Sequence, residues 1–309
     1  MKQLHVWSTN RLSEKIYKLS ENKTAIVYCA EERCVQDDFD FSKIKSPEKL
    51  EFVLGGTDYY GNFYNEYKKY STVHFWSNFF LYQAVREIDL SRLNSSANKN
   101  LFVSLNHNGH LHRCKLIDCL AKYDLLKSNI FSWHSVEVSP NFLWSYWKPK
   151  KVILDKTFLK NKSQHLIPKE FDYAFLNLVP ESETDVIFVT EKTYHAILAA
   201  KPFISLAAPR FHEFLQSRGF KLYDEIISYD FDTEENIDAR IEMIIEQLLN
   251  LKDKNYNELY DIVKPKLDYN KKRALEIVRN QEGIPEIARN FKYYDNIIKE
   301  AVCRLDTLE

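Results

Sequence analysis

The spacing of apolar residues changes several times along the chain, and each change marks an element. From Phe171 to Pro209 the sequence reads FDYAFLNLVPESETDVIFVTEKTYHAILAAKPFISLAAP. An apolar run from Tyr173 to Val179 stops at Pro180, and a polar connection carries Glu181 and Ser182. Val186 to Val189 leads into Thr190-Glu191-Lys192, a helix-period pattern follows, and a second apolar run begins after Pro202. Strand, loop, helix and strand in that order predict a βαβ unit of a parallel sheet.

The chain opens on the same alternation, with strand-like LHVWS and TAIVYCA flanking RLSEKIYKLSENK, which has a helical pattern. FVLGGTDYYG follows as a short apolar run ending in Gly55-Gly56, with Asp58 among tyrosines. The aromatic stretch Val73 to Leu81 fits either a strand or a buried helix. Leu90 to Asn100 is polar and without pattern, and the domain boundary is placed there. Leu101 to Leu105 predicts a buried strand. From about Leu111 a helix follows, with Leu116, Ile117, Leu120 and Leu125 on one face. Later come a helix over Phe211 to Phe220 ended by Gly219, a strand over Ile226 to Tyr229, and three helices. These span Asn236 to Leu251, Tyr256 to Arg279 with Pro265 bending it, and Pro285 to Leu305. The pattern predicts an α/β chain with domains over 1–98 and 99–265 and closing helices over 266–309.

Length and composition narrow the class. At 309 residues the chain has room for two cores, and 45% apolar against 28% charged residues mark it as globular. A formal net charge of −1 argues against coating nucleic acid by bulk charge. A local basic stretch is still present at Lys148, Lys150, Lys151, Lys156, Lys160 and Lys162, near Trp133, Trp144, Tyr146 and Trp147. Such a run is a solvated face or the seat of a polyanionic acceptor. The 5 cysteines show neither a CxxC pair nor zinc spacing, which suggests a reduced, cytoplasmic protein. No apolar run reaches the ~18 residues that span a bilayer, and no signal-peptide pattern opens the chain, so no membrane partner is expected.

The candidate chemistry sits where the chain leaves its strands, because ligands of open α/β sheets collect at the carboxyl ends. Thr190 is a good helix N-cap, which turns the free amides and positive dipole end of its helix toward such a crevice. Lys192 in the first turn goes against the preference for acidic residues there, and a ligand anion would resolve the conflict. A carboxylate at Glu191 suits ribose hydroxyls; the plain alternative is an exposed Glu-Lys pair. Arg113 is likewise a cation at a helix start, and its fork matches phosphate oxygens. It follows the loop Asn106-His107-Asn108-Gly109-His110, whose Asn106 joins the donor-binding candidates. The histidines there lack HExxH spacing, and no metal site is expected. Asp37, Asp38 and Asp40 read as a solvated loop or, less simply, as ligands for a hard cation. Asp58, beside aromatic rings, is the candidate catalytic base; the plain alternative is a turn in which it bonds its own backbone.

Two segments, FVSLNHNGHLHRCKLIDCL and VPESETDVIFVTEKTYHAILAAKPFISL, resemble the donor domain of α1,3-fucosyltransferases and their bacterial and viral relatives. That family shows a serine-ended strand, an arginine several residues on, a Glu-Asn-Ser turn and a Thr-Glu-Lys helix start, in that order. The likeness spans about Leu101 to Tyr229. It implies a GT-B fold, two Rossmann-like domains facing across a cleft with C-terminal helices bracing them, and a metal-independent transfer without a cofactor. It also implies that Arg113 and Lys192 grip the diphosphate of a nucleotide sugar, that Glu191 holds the ribose, and that Glu181 and Ser182 line the same pocket. Glu181-Ser182 stands where the family has Glu-Asn-Ser, and the family's N-terminal catalytic glutamate has no counterpart in this chain.

The resulting expectation is a glycosyltransferase acting on an acceptor hydroxyl. The Lys/Asn/Tyr/Phe-rich, glycine-poor composition resembles that of large bacteriophages, which suggests hydroxymethylcytosine in double-stranded DNA as acceptor and the host cytoplasm as location. An oligosaccharide acceptor, a non-catalytic nucleotide-binding module, and a metal-dependent GT-A enzyme using Asp37-Asp38-Phe39-Asp40 are the alternatives.

Overall fold

The strand and helix patterns are realised as two four-stranded sheets whose strand pairs all run parallel. The computed structural model describes residues 2–5, 16–17, 25–31, 43, 45–46, 50–59, 65–87, 99–134, 142–154 and 169–306. Most of the predicted helix RLSEKIYKLSENK, the Asp37/Asp38/Asp40 run, most of the Leu90 to Asn100 boundary, and Lys156, Lys160 and Lys162 lie outside them. Compactness divides the chain into two units. The first holds Met1–Arg86, Val186–Val189 and Leu275–Glu309; the second holds Glu87–Asp185 and Thr190–Ala274.

In the first unit β1 (Lys2–His5), β2 (Ala25–Cys29), β3 (Leu50–Leu54) and β4 (Thr72–Phe75) lie side by side in sequence order. Every residue of β2 is buried, which is why AIVYC is apolar without alternation, as in a parallel strand covered on both faces. After α1 (Asn65–Tyr70) the aromatic stretch turns out to be two elements, β4 followed by α2 (Phe79–Glu87). Gly55 ends β3 where a β-carbon would lie 2.0 Å from the Ala30 carbonyl oxygen, so only glycine fits.

The helix expected over Pro285 to Leu305 is instead two, α8 (Glu286–Arg289) and α9 (Lys292–Asp306). At the break the half-buried Phe291 ring stacks on the buried Tyr28 ring, with centroids 4.4 Å apart. Tyr294 of α9 accepts from the Ala30 N–H and donates to Glu31, both at 2.7 Å.

The second unit contains β5 (Asn100–Ser104), α3 (Leu111–Lys122), β6 (Ile130–Phe131), β7 (Ala174–Pro180), α4 (Glu191–Leu198), β8 (Phe203–Leu206), α5 (Phe211–Ser217) and α6 (Ile237–Leu251). The helix α7 (Tyr256–Arg279) continues through Pro265 and belongs to this unit as far as Ala274. The predicted βαβ unit is present: β7 and β8 pair in parallel with Asn177 opposite Phe203. Leu116, Ile117 and Leu120 are buried, as the helix pattern requires, while Leu125, expected on the same helix face, is buried in the turn after the helix has ended at Lys122. Gly219, at φ 91°, closes α5. Ile226 to Tyr229 is not a strand. The Tyr223 carbonyl accepts the N–H groups of both Ile226 and Ile227 at 3.0 Å, so a local turn satisfies donors that a strand would have had to pair.

Candidate functional site

The second sheet has the order β6-β5-β7-β8. From β5 the chain leaves through α3 to β6 on one side, and from β7 it leaves through α4 to β8 on the other. The strand order therefore reverses between β5 and β7, and the position beyond their carboxyl ends is the one at which the topology of an open α/β sheet places a ligand crevice. Arg113 and Lys192 stand at the starts of the two diverging helices.

The start of α3 is unusually bare. Its N-cap is His110, extended at ψ 150° but making no side-chain cap, and the first turn holds no acidic residue. The first amides of the helix are thus left for another acceptor. Arg113 is 2% exposed. One terminal nitrogen donates to the Glu181 carbonyl at 3.1 Å and the other to the Asn108 carbonyl at 3.3 Å. Its Nε is buried with no hydrogen-bond partner among the described residues. Burial lowers the guanidinium pKa, and the charges of Glu181, Glu191 and Glu183 oppose that loss.

The neighbouring histidines report the same field. His112 donates from Nε2 to the Glu181 carbonyl at 2.8 Å, an acceptor that settles which ring nitrogen carries the proton. Burial first, and then Arg113, push its pKa down to about 3, so the ring is neutral. His110, stacked on it at 5.8 Å, is lowered by burial and then by Arg113 and Lys192. Both cations therefore act on the same pair of imidazoles.

Across the crevice, Glu181 is fully buried at the end of β7. One carboxylate oxygen accepts from the Thr190 N–H at 3.2 Å and Thr193 Oγ1 at 2.7 Å, and the other accepts from Thr190 Oγ1. Burial raises its pKa, and the positive charge of Lys192 opposes the rise. Its carboxylate thus fastens the start of α4 to β7, while its carbonyl is shared by Arg113 and His112. Thr190 caps α4 as expected, accepting from the Lys192 N–H. Lys192 Nζ reaches Thr190 Oγ1 at 3.3 Å and Glu191 at 3.1 Å. Glu191 is 9% exposed; burial disfavours its charge, but Lys192 and His195 outweigh that and hold its carboxyl below the usual range. Ser182 is half-buried in the connection after Glu181.

Asn106 lies at the β5 end of the crevice, 1% exposed. Its Nδ2 donates to the Ser104 carbonyl at 3.3 Å, which leaves Oδ1 buried without a partner among the described residues. Arg113, Glu181, Thr190, Glu191, Lys192 and Asn106 are thus gathered around one switch point. Asp58 belongs to the first unit, exposed on the turn after β3 and ion-paired with Lys68.

The chain matches no protein-family model, no curated protein and no solved structure. Among the described residues no group of three or more His, Cys, Asp or Glu side chains is placed to hold a metal ion, and no helix is long and apolar enough to cross a membrane.

Sequence reasoning did not find His110 and His112 as members of an electropositive site, because their lowered pKa values arise first from burial and then from Arg113, with Lys192, far along the chain, adding to both. Nor did it see the pair His212 and Asp232. His212 Nδ1 donates to Asp232 at 2.7 Å and Nε2 accepts from the Ser205 N–H at 3.2 Å. With both ring nitrogens used and the ring fully buried, this pair is a structural tie.

Proposed function

We propose that the β5/β7 crevice binds the diphosphate of a nucleotide sugar and that the protein transfers the sugar to an acceptor hydroxyl. One observation carries this reading: a guanidinium held out of water at a helix start without a side-chain cap keeps an N–H that has no partner among the described residues. Such a group destabilises the fold by about 1–3 kcal/mol unless a ligand completes it. A phosphate oxygen does so and is also attracted by the amides of α3 and α4 and by Lys192. The order of Ser104, Arg113, Glu181 and Thr190-Glu191-Lys192 supports the likeness to fucosyltransferase donor domains, and two parallel sheets are what a GT-B arrangement needs.

In this mechanism the bond between the anomeric carbon and the diphosphate oxygen breaks as the acceptor oxygen attacks. Negative charge grows on the departing phosphate, where Arg113, Lys192 and the helix starts stabilise it. Lys192 leaves Glu191 for the phosphate, which frees that carboxylate for the ribose hydroxyls. Glu181 positions both cations without touching the donor. Asp58 is the carboxylate offered as base for the acceptor proton. A hydroxymethylated base in DNA is the acceptor of choice, with a glycan as the alternative.

Calorimetric titration with a panel of nucleoside diphosphates tests the site. Lys192→Ala should weaken the best ligand by about 1.5–3 kcal/mol, the scale of a charged hydrogen bond; unchanged affinity removes Lys192 from the site. The pairing of Asp58 with Lys68 favours a second reading, a binding module without turnover. Tight nucleotide binding with no sugar released, with or without acceptor, would establish that module.

A further inference from the structure

The segment Phe142 to Lys151 has no part in the crevice chemistry, yet it is built with care. Asp118, 7% exposed on α3, accepts three successive backbone N–H groups: Ser145 at 3.1 Å, and Tyr146 and Trp147 at 2.8 Å. Trp144 and Trp147 turn inward onto Trp133, with centroids 5.7 and 5.4 Å away, and Phe142 packs on Trp144 at 4.8 Å. A short loop with a buried aromatic floor and a carboxylate clamp is held rigid. What it displays is the opposite of its floor: Leu143 is 88% and Tyr146 60% exposed, followed by exposed Lys148, Lys150 and Lys151.

Those three lysines form no ion pair among the described residues. Three cations without an ion pair among the described residues, in a chain of net charge −1, mark a local attraction for anions rather than a bulk one. The patch also borders the β5 end of the crevice. His134, whose N–H donates to the Asn106 carbonyl at 3.3 Å, is held below its usual pKa by burial, by His107 and by Lys151.

We propose that this loop docks a nucleic-acid strand, with the lysines on phosphodiester groups and the Tyr146 ring stacked on an unpaired base. An exposed aromatic ring on a backbone held by Asp118, next to lysines without an ion pair among the described residues, is the combination that binds single strands without reading sequence. The acceptor reading gains a location from this surface. Strand binding needs neither donor nor turnover, so either inference can fail alone.

Fluorescence anisotropy with labelled oligothymidylate and oligouridylate is the test, with a duplex and phosphatidylserine vesicles as further arms. Both single strands should bind, and Tyr146→Ala should weaken them roughly tenfold. The triple variant Lys148→Ala/Lys150→Ala/Lys151→Ala should reduce the slope of log affinity against log salt by about 2. All four side chains are exposed, and nucleoside diphosphate binding measured alongside should not change. Strand binding that ignores both variants overturns the proposal. So does the absence of strand binding, and so does vesicle binding that is lost in the triple variant while oligonucleotides never bind.

Discussion

Two helix starts in the second unit each carry a buried arginine, and they differ in every respect that separates a structural cation from a ligand-binding one. At the start of α6, Asn236 caps with its side chain, accepting from the N–H groups of Asp238 and Ala239, and Asp238 adds a negative charge to the first turn. Arg240, 2% exposed, spends all its nitrogens on carbonyls: Nε on Glu234 at 2.7 Å, one terminal nitrogen on Ala207, and the other on Glu235 at 3.3 Å. That end is closed. At the start of α3 the His110 side chain makes no cap, the first turn holds no acidic residue, and Arg113 keeps Nε unpaired among the described residues. Both guanidiniums are equally buried and both have lowered pKa values from burial, so burial alone does not identify a site. The unfilled hydrogen-bonding capacity does.

The largest effect expected from this contrast is on Arg240. Replacing it with methionine takes the donor from one buried carbonyl, at Ala207, and from two that water partly reaches, at Glu234 and Glu235, so with a buried group costing about 1–3 kcal/mol a total loss near 3 kcal/mol is expected in chemical unfolding. Nucleotide affinity should be unaffected, and a variant that keeps its stability would end the claim that this end is structural.

Next in size, taken per pH unit, is a pH effect at the open end. The His112 pKa lies near 3 in the folded chain against 6.5 when free, so below 6.5 the unfolded state binds the extra proton. Stability should therefore fall as pH drops from 6.5 toward 3, by at most about 1.4 kcal/mol per pH unit from this group. A bound diphosphate opposes the field of Arg113 and Lys192, raises the His110 and His112 pKa values, and couples binding to proton uptake. Calorimetry in buffers of different ionisation enthalpy reads that uptake directly, and none at all would contradict a shared anion at these rings.

The smallest effect comes from converting the open end into a closed one. His110 already has the extended backbone of an N-cap, so His110→Asp should supply both cap and charge. A gain of about 1 kcal/mol in stability is expected. The same variant should weaken diphosphate binding, because its carboxylate competes for the amides. Greater stability with undiminished binding would detach the ligand from the α3 amides.

Much of this was legible beforehand for a definite reason. The βαβ pattern, the Thr190 cap and the misplaced cations Arg113 and Lys192 are local features, fixed by spacing and by rules at helix ends. Contacts between distant segments were not legible. The switch point depends on β7 lying beside β5 rather than β6, which no periodicity shows. Val186–Val189 reads as part of the βαβ connection but groups with the first unit, as does the chain from Leu275 onward. Ile226 to Tyr229 has the composition of a strand, and the Tyr223 carbonyl makes it a turn. The break at Phe291 is invisible without Tyr28 beneath it.

The account rests on Arg113 being held in place for an anion, and Arg113→Met tests this most directly. Methionine fills a similar volume but leaves the Asn108 carbonyl without this donor, while the Glu181 carbonyl keeps His112, so the loss of unfolding free energy should be smaller than in Arg240→Met. Affinity for the best nucleoside diphosphate should fall by about 1.5–3 kcal/mol, or tenfold to a hundredfold. A variant that loses stability as Arg240→Met does while binding the nucleotide undiminished would contradict the account.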